Sequence, residues 1–448
     1  MEKASTKFLY RAYSRLGRLG FWKKNKFSMA GNFLIYALIL TACLGLDTFR
    51  SMVYQLFSLL FSVFAVSAIL SFKAPKGLFA KRILPEYTTA GTPVSYTILV
   101  ENRTNRLKKG FEIRERFSSP IPSLEAFANT REPHEHLRNP WDRKLKVQRW
   151  QWLIHQKKNA VVTRRPVPTV PPKSRVAVRG ELTPLNRGYI HLNGFTFLKK
   201  EPLGFMRAFY HTTSEARLLV LPRRYNVPAL DLPGSRKHHT GGIALTSKIG
   251  NSDEFISLRE YRPGDPMRLI HWKSLAKTGK LIIRENRDEH FVRHALILDT
   301  YAPEGAAQGF ETAVSLAASY VSKLVTGESL LDLFFAGNRI YHYASGRGLL
   351  GNKKIIEILA LIQPTTESSF APVSRAVLKY RQLLSGCVLI FNCLDSERLD
   401  FLNTLKANGI ATVAFLVADT NAASPGAPVH LVDPGNIQAS LNKAGQIP

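Results

Sequence analysis

The sequence predicts a membrane helical hairpin, then a β-sandwich, then a doubly wound α/β domain. Three observations carry this prediction: two closely spaced uncharged apolar runs near the start, short alternating runs broken by Gly, Pro and Asn in the middle, and strand–helix–strand alternation towards the end. With 448 residues, 45% of them hydrophobic, the chain is long enough for two folded domains beside an anchor. The expected parts are a basic arm (1–29), two transmembrane helices (30–72), a β-sandwich (80–225) and a motif-bearing segment leading into the α/β domain (240–448).

The hairpin rests on residues 30–46 and 51–72, which carry no charge and are joined through Asp47, Thr48, Phe49 and Arg50. The first run is near the short end of the roughly 17–25 residues that span a bilayer, and the second is inside that range. Lys3, Lys7, Arg11, Arg15, Arg18, Lys23, Lys24 and Lys26 precede the pair; Lys73, Lys76, Lys81 and Arg82 follow it. The positive-inside rule then predicts a multi-pass inner (cytoplasmic) membrane protein with both termini and its soluble domains in the cytoplasm. A signal peptide over residues 1–46 is disfavoured because the second run would still anchor the chain and no A-x-A-like site follows Leu46. A buried soluble helical hairpin is the competing structural reading. In the arm, Lys3, Lys7, Arg11, Arg15 and Arg18 recur on one helical face with Phe8, Leu9, Ala12, Leu16 and Leu19 roughly opposite. An interfacial helix and a disordered basic tail both fit that pattern.

The net charge of +29 is unevenly distributed. Residues 1–29 hold eight Lys/Arg against Glu2, residues 73–224 hold 30 against 11 acids, and residues 225–448 hold 23 against 20. The excess therefore lies beside the anchor, where anionic lipid head groups attract each Lys or Arg by roughly 1 kcal/mol. Anionic membrane lipids account for this charge without nucleic acid. Cys43, Cys387 and Cys393 match neither a disulfide framework nor a metal knuckle and read as structural thiols in a reducing compartment.

Residues 92–100, 175–179, 187–197 and 217–221 alternate as strands do, which gives the sandwich. Between them, 131–165 combines Trp141, Trp150 and Trp152 with many Lys and Arg. Such a stretch suits stacking of single-stranded nucleic acid, but a long hairpin whose indoles pack in the sandwich or at the lipid interface is preferred.

In the motif-bearing segment, Arg262, Pro263, Gly264 and Asp265 read as a turn. Asp265 and Pro266 read as N-cap and first residue of a helix over 266–278, closed by Gly279 and followed by a strand over 280–284. Arg259, Glu260, Arg262, Asp265 and Arg268 alternate in sign, as an ion-pair cluster or a docking surface would. Further on, strands at 291–298, 330–336, 339–344, 387–391 and 411–417 alternate with helices at 306–325, 352–361, 373–384 and 396–408, which makes the doubly wound sheet.

The run Asp253, Glu254, Phe255, Leu258, Arg259, Glu260, Tyr261, Pro263, Gly264, Asp265, Arg268, Ile270, His271, Trp272, Lys273 and Ala276 resembles the signature of the domain-of-unknown-function fifty-eight family. The W-K element is intact, with His271 where many members have an acid. The resemblance implies that the α/β domain is von Willebrand factor A-like. It also implies a MoxR-type AAA+ ATPase as first partner, with a transglutaminase-like membrane protein as a further one.

Asp299 closes the strand at 291–298, at the sheet edge where such folds bind ligands. In von Willebrand A domains this aspartate opens D-x-S-x-S, whose hydroxyls hold Mg²⁺. Here Tyr301 and Pro303 stand at the serine positions, and Ala371 stands where a threonine is expected. No metal is therefore expected, with Asp299 the residual candidate and Asn392 or Asp395 near it; no cofactor is expected either. Asp299 with His271, His290 or His294 suggests a hydrolase triad, but no G-x-S-x-G nucleophile elbow, no G-x-x-x-x-G-K-S/T loop and no H-E-x-x-H helix accompanies them. The expected function is a membrane-anchored, non-enzymatic scaffold or interaction protein serving assembly, activation or envelope stress. Its docking candidates are Arg259, Glu260, Arg262, Asp265, Arg268, Trp272 and Lys273; the alternative for that set is a capped turn with bracing ion pairs. A hydrolase of envelope or cell-wall material and a basic nucleic-acid binder are the alternative functions.

Overall fold

The computed structural model describes residues 2–44, 51–72, 74, 76–118, 121–132, 135–228, 255–265, 267–286, 292–302, 307–324, 329–337, 340–344, 349–366, 369–418 and 429–444. The expected link at 47–50, the opening of the motif segment through Asp253 and Glu254, and Lys73, Pro266, His290 and Pro303 lie outside the described residues, as does the side chain of Arg268. The chain divides into two compact units. One holds Met1–Arg224 with Ala302–Gln308 and Ile356–Gln363; the other holds Tyr225–Tyr301, Gly309–Ile355 and Pro364–Pro448.

The first unit begins with three helices, α1 (Glu2–Lys26), α2 (Met29–Leu44) and α3 (Ser51–Leu70). Over Met52–Leu70, α3 is long and apolar enough to cross a membrane, with mean hydropathy 2.1; α2 is apolar but has 16 residues. The helix α1 has one docked face: Leu9, Tyr10 and Tyr13 pack on Phe127, Trp150 and Leu153. Phe8, Leu16 and Leu19 stay exposed, so only part of the expected apolar face is free.

Nine strands follow: β1 (Leu78–Ile83), β2 (Tyr87–Thr89), β3 (Val94–Asn102), β4 (Phe111–Phe117), β5 (Ala160–Val162), β6 (Arg165–Val167), β7 (Arg175–Pro184), β8 (Gly188–Lys200) and β9 (Arg207–Leu221). They form two sheets, ordered β1-β3-β7-β5 and β2-β9-β8-β4-β6. Alternation decides what lies between them: Tyr96, Ile98 and Val100 of β3 point inward against Phe195 and Phe197 of β8 in one apolar core. Arg82 takes an inward position as well. Its guanidinium pairs with Glu115 at 2.9 Å, lies 4.4 Å from the Phe195 ring and donates to the Gly194 carbonyl at 3.3 Å, and Tyr96 donates to the same carboxylate at 2.9 Å.

The long hairpin expected over 131–165 is not formed. That region contributes helices, α5 (Pro140–Leu145) and α6 (Val147–Gln156), which follow α4 (Leu124–Asn129). Trp150 serves the expected packing role, against Phe127 and the tyrosines of α1 rather than inside the sandwich, while Trp141 is 73% exposed. Asn139 caps α5 through the Asp142 amide, and Arg149 is buried against Glu135 and the Phe127 carbonyl.

In the second unit a two-stranded antiparallel pair, β10 (Phe255–Glu260) and β11 (Ile282–Asn286), brackets a 3₁₀ turn at Met267–Leu269 and the helix α7 (Trp272–Thr278). A six-stranded sheet follows, built from β12 (Val292–Leu298), β13 (Ser329–Ala336), β14 (Ile340–Ala344), β15 (Gly386–Phe391), β16 (Ala411–Val417) and β17 (His430–Val432). Its order is β14-β13-β12-β15-β16-β17, parallel except for the edge strand β14. The helices α8 (Ala307–Leu324), α10 (Ala371–Lys379), α11 (Ser396–Ala407) and α12 (Ile437–Ala444) accompany it, and α9 (Leu349–Leu361) runs from this unit into the first at Ile356. Val373, Val377, Phe401 and Leu405 of α10 and α11 pack on Ile297, Leu389 and Cys387, whereas Tyr320 of α8 meets Phe415 at 5.2 Å between ring centroids. The expected strands and helices thus form within a few residues. Neither β17 nor α12 was expected, because three residues are too few to show a period and α12 follows a Pro- and Gly-containing turn.

Candidate docking hairpin and sheet-edge cluster

Between β10 and β11 the chain turns at Arg262–Asp265. Gly264 accepts φ 104°, and the Asp265 amide donates to the Arg262 carbonyl at 3.0 Å. The Asp265 carboxylate accepts the Arg262 amide at 2.8 Å and both terminal nitrogens of Arg259 at 2.7 and 2.8 Å. Those bonds, the Arg259 guanidinium first, hold its pKa down at about 2. Asp265 therefore closes the turn instead of capping a helix. The expected helix from Pro266 begins later, because His271 donates its amide to the Ile282 carbonyl at 2.9 Å and Ile270 bridges Ile283, so pairing with β11 takes precedence there. His271 becomes the N-cap residue, its Nδ1 2.6 Å from Ser274 Oγ, and Gly279 ends α7 at φ 67° as expected.

Of the seven docking candidates, Arg259, Arg262 and Asp265 meet in this turn. Glu260 pairs with Lys280 at 3.1 Å in an exposed contact, and Arg268 lies in the 3₁₀ turn. Trp272 and Lys273 open α7 and face solvent, Trp272 at 64% exposure, as does Met267 at 73%. Ile270 and Ile283 are the buried residues beneath them.

At the carboxyl end of β12, Asp299 is buried and its amide donates to the Ile390 carbonyl at 2.9 Å. Both carboxylate oxygens are bound by Arg398, Nε at 2.9 Å and a terminal nitrogen at 3.1 Å. Burial pushes the Asp299 carboxyl above its ordinary pKa, and the Arg398 hydrogen bonds oppose that shift. Asp395 caps α11 through the Arg398 amide at 3.0 Å and also pairs with the guanidinium, whose plane lies near the rings of Tyr301 and Phe370. The Asn392 side chain donates to the carbonyls of Asp299 and Tyr301 at 2.9 and 3.0 Å. Ala371 starts α10, whose first amides are accepted by Glu397. Asn392 and Asp395 thus both reach the Asp299 neighbourhood. The groups facing the carboxylate are a guanidinium and backbone amides, and the described residues hold no group of three or more His, Cys, Asp or Glu placed to bind a metal. Arg398 and Glu397 were not singled out from the sequence; the signal was Asp395 followed three residues later by an arginine in the first helical turn.

His294 does not join Asp299. It sits five residues back along β12, about 16 Å away at strand rise, fully buried, and burial lowers its pKa.

Residues 257–436 match the model of the family described as protein of unknown function DUF58, a span that takes in the hairpin and the six-stranded sheet. No curated protein matches the chain. Among solved structures, a mutant Salmonella alpha-2-macroglobulin matches over 34% of this chain at 13% identity and a TM-score of 0.19, and this chain spans 7% of that one.

Proposed function

We propose that this chain is a membrane-anchored, non-enzymatic scaffold that presents the β10–α7–β11 hairpin to a protein partner, a MoxR-type AAA+ ATPase being the first candidate. The observation that carries the reading is the division of roles within the hairpin. Arg259 and Asp265 are occupied with each other and hold the turn, while Trp272, Met267 and Lys273 face solvent on the adjoining helix. A rigid platform with an exposed tryptophan beside a cation has the composition of an interface hot spot.

The anchoring half of the reading draws on α3 as a candidate span and on α2 as its shorter partner. Both helices reach the turn between β8 and β9: Ser28, ahead of α2, donates to the Phe205 carbonyl at 2.9 and 3.0 Å, and Ser67 of α3 donates to Glu201 at 3.2 Å. Contacts with one turn at the start of α2 and the end of α3 suit an antiparallel hairpin with both flanks in the cytoplasm, where their basic residues meet anionic lipids. The strand order around β12, with Asp299 at its carboxyl end, suits a von Willebrand factor A-like sheet, and Arg398 on Asp299 suits a degenerate metal site. A transglutaminase-like membrane protein is a further candidate partner, in assembly, activation or envelope stress; nucleic acid has no part.

Crosslinking of the intact chain in membranes, followed by affinity purification, tests this. An AAA+ ATPase should be recovered with the native chain and lost from Trp272→Ala/Lys273→Glu at unchanged melting temperature. Recovery of no ATPase or membrane protein refutes the scaffold reading.

A further inference from the structure

The chain reverses between α1 and α2 because Phe27 bridges Met206 and the Ser28 hydroxyl caps the Gly31 amide at 3.0 Å. The reversal sets Gly20, Lys23 and Lys24 of α1 against Asn32, Phe33 and Tyr36 of α2, around a cavity of about 400 Å³. Its two ends differ in chemistry. Lys23 and Lys24 form no ion pair with a carboxylate among the described residues, and the Lys23 ammonium lies 5.2 Å from the centre of the Tyr36 ring. Phe33 and Tyr36 are 65% and 58% exposed on the apolar helix. Asn32 Oδ1 is shielded from solvent and accepts no hydrogen bond among the described residues.

Positive charge continues behind the cavity. Arg207 donates to the carbonyls of Phe27 and Lys24 at 3.1 and 3.5 Å, Arg164 to that of Lys24 at 3.4 Å, and Arg114 to Asn25 Oδ1 at 2.8 Å. Burial, and then the neighbouring arginines, lower the pKa of Arg114; burial, and then Arg164, lower that of Arg207. Guanidiniums stay protonated at any ordinary pH, so the end of α1 is a concentration of cations, which Glu112 beside Arg207 offsets only in part.

We propose that the α1–α2 junction binds the head group of an anionic membrane phospholipid, its phosphate at Lys23 and Lys24, a head-group hydroxyl on Asn32 and its acyl chain along Phe33 and Tyr36. The assignment rests on the membrane-anchored reading and adds a defined lipid site to general attraction by basic surface. A free phosphate would use the lysines but leave the apolar wall bare.

The test uses the full chain, purified in non-ionic detergent and exchanged into nanodiscs of phosphatidylcholine with or without phosphatidylglycerol, with retained lipid read by native mass spectrometry. The native chain should retain phosphatidylglycerol over phosphatidylcholine. Lys23→Gln/Lys24→Gln should weaken that retention on the order of thirtyfold, the worth of two interfacial cations, and Asn32→Asp should abolish it from a single position. Arg11→Gln/Arg15→Gln, on exposed α1 positions outside the cavity, removes the same charge from the general attraction only and should weaken retention less than the cavity pair does; an equal loss overturns the site. Equal retention of the two lipids, no change in either cavity variant, or displacement by inorganic phosphate at lipid-like concentration overturns the site. Release of the chain from membranes by alkaline carbonate would overturn the anchor itself; a chain that stays in membranes yet retains no phosphatidylglycerol overturns the lipid site alone.

Discussion

A buried carboxylate needs a cation or hydrogen-bond donors close by, and at Asp299 the donors come from Arg398, itself 1% exposed. Removing one partner of such a pair leaves the other charged without compensation, so Arg398→Ala should cost about 3–5 kcal/mol, seen as a lower melting temperature of the full chain in detergent. Added Mg²⁺ should not restore it, because the Asp299 and Asp395 carboxylates that would be left are fewer than the six oxygen ligands the ion needs and no third His, Cys, Asp or Glu stands with them among the described residues; restoration by Mg²⁺ would show that a metal site survives under the arginine. Asp299→Leu/Arg398→Met should recover most of the loss. Asp265 is a different case. Its folded pKa of about 2 lies below the ordinary carboxylate value near 3.9, so the unfolded chain takes up the proton first as the solution is acidified. Its contribution is fully present above about pH 4 and fades as pH falls to about 2. Native chain and Asp265→Asn should therefore differ in melting temperature by a constant amount from pH 5 to 8 and converge towards pH 2; a gap that persists at pH 2 would assign the turn's stability elsewhere. The pairing of Asp265 with Arg259 falls within the ion-pair cluster offered as one reading of the sequence, whereas that of Asp299 with Arg398 was not legible. Asp299 announced itself by ending a buried strand, but Arg398 lies 99 positions away, and only the closure of the sheet brings them together.

Two glycines separate tight packing from free surface at the scale of elements. A Cβ at Gly31 in α2 would stand 2.0 Å from the Phe205 carbonyl oxygen, a backbone atom that no rotamer change can move. A Cβ at Gly20 in α1 would meet nothing within 4 Å. Gly31→Ala should thus destabilise by about 1–3 kcal/mol as the turn between β8 and β9 is forced off α2, whereas Gly20→Ala should stabilise by up to about 1 kcal/mol through helix propensity. Melting curves of the two variants should move in opposite directions; movement in the same direction would mean that the β8–β9 turn does not hold α2. Elements with a strong apolar pattern were the readable ones: β3 alternates with one buried face, β12 is a continuous apolar run buried on both faces, and α8 carries helical apolar spacing. The insert carrying α5 and α6 was not, because its apolar residues are ordered by α1, over 100 positions earlier, rather than by strand neighbours. Arg82 illustrates the same limit: its alternation marks an inward site but cannot name Glu115 as the partner that makes it tolerable.

For the whole molecule, the membrane orientation we propose rests on where the cations lie rather than on their total. Residues 1–29 and 73–224 hold the excess, and the start of α2 and the end of α3 both contact the β8–β9 turn. Lysine and arginine flanking membrane segments are retained on the cytoplasmic side, so a chain anchored by both helices has its amino- and carboxyl-terminal parts on that side. A fluorescent protein fused after Pro448 should then fluoresce, and alkaline phosphatase fused at the same point should stay inactive. Three cysteines provide an internal check. Cys387 is buried with its thiol pushed up to about 12, and burial pushes Cys393 up to about 11, whereas Cys43 is exposed near the far end of α2. Thiolate is the reactive form, so a membrane-impermeant maleimide added to intact cells should label Cys43 ahead of the other two and lose its target in Cys43→Ser. An active phosphatase fusion, or labelling that appears only after the membrane is breached, would place the α2–α3 connection inside and overturn the topology.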